Sequence, residues 1–220
     1  MTSTTEGDQP VVADPHAAHE RYDVGRLLAF SDGVFAIAIT ILVLGIPIPN
    51  VADHADLPGA LRNLGPSLAG FALSFALVGT QWIAHHRLLR KLDFCDGPIL
   101  WLNLLLLMGI CLVPFASSVL TRYGDVAAGI IPYAALQASI GVVFMLLRLY
   151  LIRHGVPLQT TLAMSWLPVV TFLVSIPLAL QDTSLPFIVW VVGFGLSRLR
   201  GGSAVPTQAG RLWRWTRSRF

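Results

Sequence analysis

The chain has 220 residues, of which 55% are hydrophobic and only 12% charged, with a mean hydropathy of +0.68 and a net charge of +3. An ordinary soluble domain carries about 25% charged residues. The composition therefore excludes one and points to an all-α integral membrane protein with no soluble domain. The small net charge gives no reason to expect nucleic acid as a partner, and no cofactor is expected.

The first 24 residues are polar and include Glu6, Asp8, Asp14, Glu20 and Asp23. They lack the basic start and apolar core of a cleavable signal peptide, so residues 1–24 are expected to form a disordered cytoplasmic lead. A membrane span needs roughly 20 apolar residues. Six candidates follow, at about 27–48, 64–84, 98–120, 127–151, 160–181 and 185–199. They predict a domain of six transmembrane helices over residues 25–200, with a short sixth span. The last stretch, 201–220, is read as a basic and aromatic cytoplasmic tail. It alternates Arg211, Arg214, Arg217 and Arg219 with Leu212, Trp213, Trp215 and Phe220. Such a segment suits an anionic membrane surface, and equally suits an unstructured tail on the positive side.

Loop charges set the orientation. One side holds 13 of the 15 basic residues, including Arg26, Arg87, Arg90, Lys91, Arg148 and Arg153; the other holds Arg62 and Arg122 beside four aspartates. By the positive-inside rule both termini and the second and fourth loops are cytoplasmic. The protein is thus expected to be a multi-pass protein of the cell membrane, with the lipid bilayer as its medium.

The first span carries the most informative residues. Arg26, Ser31 and Asp32 sit at its cytoplasmic start, where a simple anchor has no use for an acid. Ile37, Ile41, Leu44 and Ile48 recur at i, i+4, i+7 and i+11, one helical stripe. Because the span is apolar nearly all round, that stripe reads equally well as core or lipid contact. Small residues at Gly33, Ala36, Ala38 and Thr40 permit close helix approach. The second span ends in Trp82, His85 and His86, at the same depth as Asp32 and Arg26. A carboxylate and an imidazole there can pair and offset each other's desolvation. The two histidines point about 100° apart on a helix, so they are not expected to share one partner. Their spacing also disfavours a metal site.

Later spans are less specific. Asn103 lies in the third, and Gln137 and Ser139 in the fourth; prolines interrupt the third and fifth and open the sixth. Prolines are tolerated in membrane helices and are assigned no chemistry. Cys95 and Cys111 form no disulfide or zinc signature and are expected to be packing residues. There is no Gly-rich phosphate loop, no carbonyl-filter motif of the common potassium channels, no arginine-repeat voltage sensor and no carboxylate at mid-span.

The run from Arg26 through Phe30-Ser31-Asp32-Gly33 to Ile37 and Thr40, with Trp82, His85 and His86 at the end of the second span, resembles the signatures of the transmembrane protein 175 family of potassium channels in their bacterial single-repeat form. The likeness extends over roughly residues 24–199. It implies a homotetramer whose first helices line a central pore without a carbonyl filter. It further implies an apolar constriction at Ile37, Ile41 and Leu44, and a potassium-selecting hydroxyl layer at Thr40. No metal is implied beyond transient potassium ions in the pore. Phe30, Ser31 and Asp32 would fix the pore helices at their cytoplasmic end, with Arg26 and His85 or His86 as partners and Trp82 in the same network. Ile41 departs from the leucine common at its position.

Two other classes compete. An intramembrane enzyme using Ser31, Asp32 and a histidine is disfavoured, because neighbouring Ser31 and Asp32 point apart. A secondary transporter of a small ion or solute coupled to protons is the alternative, weakened by the missing mid-span carboxylate and internal repeat.

Overall fold

A computed structural model describes residues 23–92, 95–158 and 162–201. The expected lead before residue 23 and the Arg/Trp tail after residue 201 lie outside the described residues. Helix α1 spans Val24–Ile41 and runs into a 3-10 turn, Leu42–Gly45. A second 3-10 turn, His54–Asp56, and the short α2, Leu57–Arg62, form the first connection. Then come α3 (Gly65–Leu89), α4 (Gly97–Tyr123), α5 (Ala127–Arg153), α6 (Leu162–Gln181) and α7 (Leu185–Gly201). Among the described residues each of the six apolar segments is thus mainly helical, although the first leaves the helical form after Gly45. Among the described residues four stretches, 24–45, 65–89, 97–123 and 127–153, are long and apolar enough to cross a membrane, and a shorter apolar helix covers 166–181.

Local chemistry sets the helix ends. The Asp23 carboxylate caps α1 by accepting from the Gly25 amide at 2.7 Å, which supplies one of the orphan N–H groups with a partner. Asp96 does the same for α4 through the Ile99 amide at 3.1 Å, and its other oxygen accepts from the Tyr150 hydroxyl at 2.5 Å. One aspartate thus starts α4 and ties it to the end of α5. That end is closed by Gly155, at φ +78°, a conformation that costs glycine nothing. The Val156 amide reaches back to the Leu151 carbonyl and the Gly155 amide to Ile152, the pattern of a Schellman stop.

In sequence order α4 packs on α5, α5 on α6 and α6 on α7, while α1 and α3 pack on each other and on α4. A Cβ at Gly109 of α4 would lie 2.7 Å from Ile140 of α5, so the missing side chain lets these two backbones approach. The main core joins Phe35, Val78, Ile110, Tyr133, Phe172 and Trp190 from six helices. A second cluster at the opposite end gathers Leu27, Leu89, Cys95, Ile99, Leu147 and Leu151. Cys95 is buried, as a packing residue should be, but Cys111 is exposed on α4. An apolar helix gives no polar face to fix its phase, so sequence alone could not place the thiol inward or outward.

Candidate functional site

Helix α1 has two faces. Leu27, Ser31, Phe35, Ala38 and Leu42 are buried against the rest of the chain. Their spacing of three to four residues is the inward stripe of a helix. On the other side Arg26, Phe30, Ile37, Thr40, Ile41 and Leu44 are exposed in the single protomer. Ile37 is 61% exposed and Leu44 79%. The four residues expected to form the constriction and the hydroxyl layer therefore share one uncovered face. Of the small residues, only Ala38 is buried; Gly33 has open space around it.

The Thr40 hydroxyl donates to the Ile37 carbonyl at 2.8 Å. Its hydrogen is thereby engaged within the helix, and both lone pairs of the oxygen stay open for a further donor or a cation.

Two polar layers hold the N-terminal half of α1. In the outer layer the Trp82 indole N–H donates to Asp32 Oδ1 at 2.8 Å, and His86 Nδ1 lies 3.6 Å from the same oxygen. The Trp82 and His86 rings also pack, with centroids 5.6 Å apart. Asp32 is about a third exposed, so the pair is partly solvated. In the inner layer Ser31, His85 and Asn103 are fully buried. Asn103 Oδ1 faces His85 Nε2 at 2.7 Å, and Asn103 Nδ2 donates to Ser31 Oγ at 3.1 Å. Ser31 Oγ donates in turn to the Leu27 carbonyl at 2.8 Å. A carbonyl oxygen only accepts, so His85 carries hydrogen on Nε2. The His85 ring lies between Phe35 and Phe144, at 5.4 and 6.2 Å.

The two histidines thus divide their partners, His86 to Asp32 and His85 to the Ser31–Asn103 pair. Arg26 stands apart. It is exposed, and among the described residues it has no ion pair within its own protomer. Phe30 is likewise exposed, at 55%.

Sequence reasoning located Asn103 in the third span but gave it no role. An asparagine in a leucine run is itself the signal, because a buried amide demands partners. The same demand explains a second chain of buried groups. Ser117 Oγ lies 2.9 Å from Ser74 Oγ, which lies 3.0 Å from the Tyr133 hydroxyl; Gln137 Nε2 donates to that hydroxyl at 3.2 Å. Gln81 Nε2 then donates to Gln137 Oε1 at 2.8 Å. These bonds join α3, α4 and α5 away from the α1 face.

Residues 26–114, from the start of α1 to within α4, match the family described as endosomal/lysosomal potassium channel TMEM175. A potassium channel of Streptomyces collinus is 36% identical over 137 residues, covering 60% of this chain and 66% of that relative. One from Chamaesiphon minutus is 40% identical over 134 residues, 58% of this chain and 65% of the relative. The matched stretches thus span just under two thirds of these relatives. The crystal structure of a lysosomal potassium-selective channel TMEM175 homolog from Chamaesiphon minutus superposes with a TM-score of 0.71 at 32% identity, over 80% of this chain and 97% of that one.

Proposed function

This chain belongs to the TMEM175 family, whose named members are ion channels and not enzymes, and on that premise we propose that it is one subunit of a potassium-permeable cation channel. Four copies surround a central pore with α1 of each lining it. Ile37, Ile41 and Leu44 form an apolar constriction in place of a carbonyl filter, and Thr40 supplies a ring of oxygen atoms beside it. The observation that carries the reading is the division of α1. Its cytoplasmic half is fastened by two polar layers, while its one uncovered stripe holds the residues of the constriction.

The physics is consistent with gating at this stripe. A narrow ring of isoleucine side chains blocks ions by excluding water. A small rotation or widening of the helices rehydrates it. The buried Ser31–Asn103–His85 layer gives the helix a fixed lower end, since satisfied polar networks rigidify what they join. The chain lies in the cell membrane as a multi-pass protein with cytoplasmic termini, a reading supported by its lopsided basic loops.

Planar-bilayer recording of the purified protein under opposed potassium and sodium gradients is the test. Unitary currents with a reversal potential towards potassium are expected. Slow saturable flux that requires a proton gradient, without unitary currents, would overturn the channel in favour of a transporter.

A further inference from the structure

Away from the α1 face, a cavity of about 240 Å³ lies between α3, α5, α6 and α7. Phe144, Phe172, Trp190 and Ala84 give it apolar and aromatic walls, interrupted by the amides of Gln81 and Gln137 and the hydroxyls of Thr80 and Thr171. Its wall on α5 continues to Arg148, four residues beyond Phe144 and therefore one turn nearer the cytoplasmic end. Thr80 and Ala84 stand at i and i+4 on α3. The next residue on that face is Arg87, at i+7, which is exposed. Residues at these spacings share one side of a helix. The cavity thus has a mainly apolar body with Arg148 at one end, and Arg87 follows one turn beyond Ala84 on the same side of α3.

We propose that this cleft holds an anionic phospholipid of the cytoplasmic leaflet, one acyl chain between Phe144 and Phe172 and the phosphate beside Arg148 and Arg87. Charge and shape carry the assignment together. Guanidinium groups match phosphate oxygens in a planar fork, and basic pockets between membrane helices on the cytoplasmic side suit anionic headgroups. A free phosphate would use the arginines but leave the apolar body unfilled. A zwitterionic lipid would fill the body but bring a cationic headgroup to the arginines. None of the residues expected to form the constriction touches this cleft. A lipid there contacts α3, α5 and α6, and it braces the helix that carries Trp82, His85 and His86. The leaflet assignment rests on the orientation given above; the site itself does not depend on ion conduction.

The experiment uses the full-length protein in mild detergent, titrated with dioctanoyl phosphatidylglycerol while its thermal unfolding midpoint is followed. A saturable rise is expected, with no comparable rise from dioctanoyl phosphatidylcholine or inorganic phosphate. Arg148→Gln should weaken binding about fivefold, the value of one cation at a membrane surface. The exposed Arg87→Gln should weaken it without disturbing folding, which keeps the test intact if the Arg148 variant does not fold. Ala84→Trp, checked by its elution volume, should abolish the response by filling the cleft. An equal response to phosphatidylcholine, an equal response to inorganic phosphate, or an unaltered response in Ala84→Trp overturns the proposal. So does no response in the parent, as when a neighbouring copy covers the cleft. If currents are absent while the lipid binds as described, the channel reading fails and this one stands. Labelling of an Arg90→Cys variant from outside intact cells overturns the leaflet assigned here.

Discussion

The indole of Trp82 donates to the carboxylate of Asp32 across 2.8 Å, and these residues are 50 positions apart in the chain. The bond links α3 to α1 at the depth where the lower half of α1 is held. Trp82→Phe keeps the ring and removes the donor. A single hydrogen bond to a charged group contributes about 1.5 kcal/mol at most sites, and partial exposure of Asp32 reduces this to about 1 kcal/mol. A small fall in the thermal midpoint, with altered opening of the channel and unaltered ion preference, is expected. Parental stability and gating together would show the contact to be incidental.

The inner layer should matter more. Asn103→Leu would strand the buried His85 Nε2 and leave Ser31 Oγ with only its bond to the Leu27 carbonyl. A stranded buried group costs about 1–3 kcal/mol and a lost bond about 1 kcal/mol, so a loss of about 3 kcal/mol is expected, visible as a marked drop in the unfolding midpoint in detergent. A drop no larger than that of Trp82→Phe would mean that the layer adds little to holding α1.

Ile37→Asn places an amide at the proposed constriction, where it wets the narrowest ring. Higher open probability or conductance is expected in bilayer recordings. Unchanged currents from a properly assembled variant would remove Ile37 as the barrier.

Thr40→Val preserves shape and deletes the hydroxyl. Its donor bond to the Ile37 carbonyl is lost as well, but the surrounding helix bonds remain. Potassium preference over sodium should fall, read as a shift of the reversal potential towards zero under bi-ionic conditions. A parental reversal potential would separate Thr40 from selectivity.

Cys95, in the connection before α4, provides a pH test. Burial, with the Asp96 charge beside it, pushes its thiol up from 9.0 to about 11. The folded state thus favours the protonated thiol. Its contribution is complete below the unfolded value near 9 and is lost as pH rises through about 11. Stability should decline over that window, and Cys95→Ala should flatten the decline. At neutral pH maleimide should react with Cys95 only on unfolding, since the thiolate is the reactive form.

How far the sequence carries can be seen in α1 and α3. The apolar runs located the helices, because a span must satisfy its backbone internally and be apolar over its length. Their boundaries were less legible. The apolar core of the second span was expected to end near residue 84 with both histidines at the close of its helix, and α3 continues past them to Leu89. Divergence of His85 from His86 followed from helical geometry alone. The partners did not, because Asn103 reaches His85 only once α4 lies against α3 and α1. The phase of α1 was equally hidden. An apolar helix gives no polar face to choose between inward and outward, and packing decided that Phe35 and Ala38 turn in while Ile37 and Ile41 turn out. Arg26 was expected to join the network and instead remains outside it within the protomer, where water competes with any partner.

The 3-10 turn Leu42–Gly45 that completes α1 alters the geometry of the uncovered stripe. An α-helix advances about 100° and 1.5 Å per residue, whereas a 3-10 turn advances about 120° and 2.0 Å. Over three residues the tighter winding brings a side chain back to its starting azimuth. Leu44 therefore stands almost directly above Ile41 instead of some 60° to one side, and about 6 Å along the axis rather than 4.5 Å. The place of Leu44 on that stripe is thus set by the winding of a single turn. Rewinding that turn between the two helical forms swings Leu44 by about 60° around the axis and about 1.5 Å along it, while Ile37, Asp32 and the bonds beneath them stay where they are.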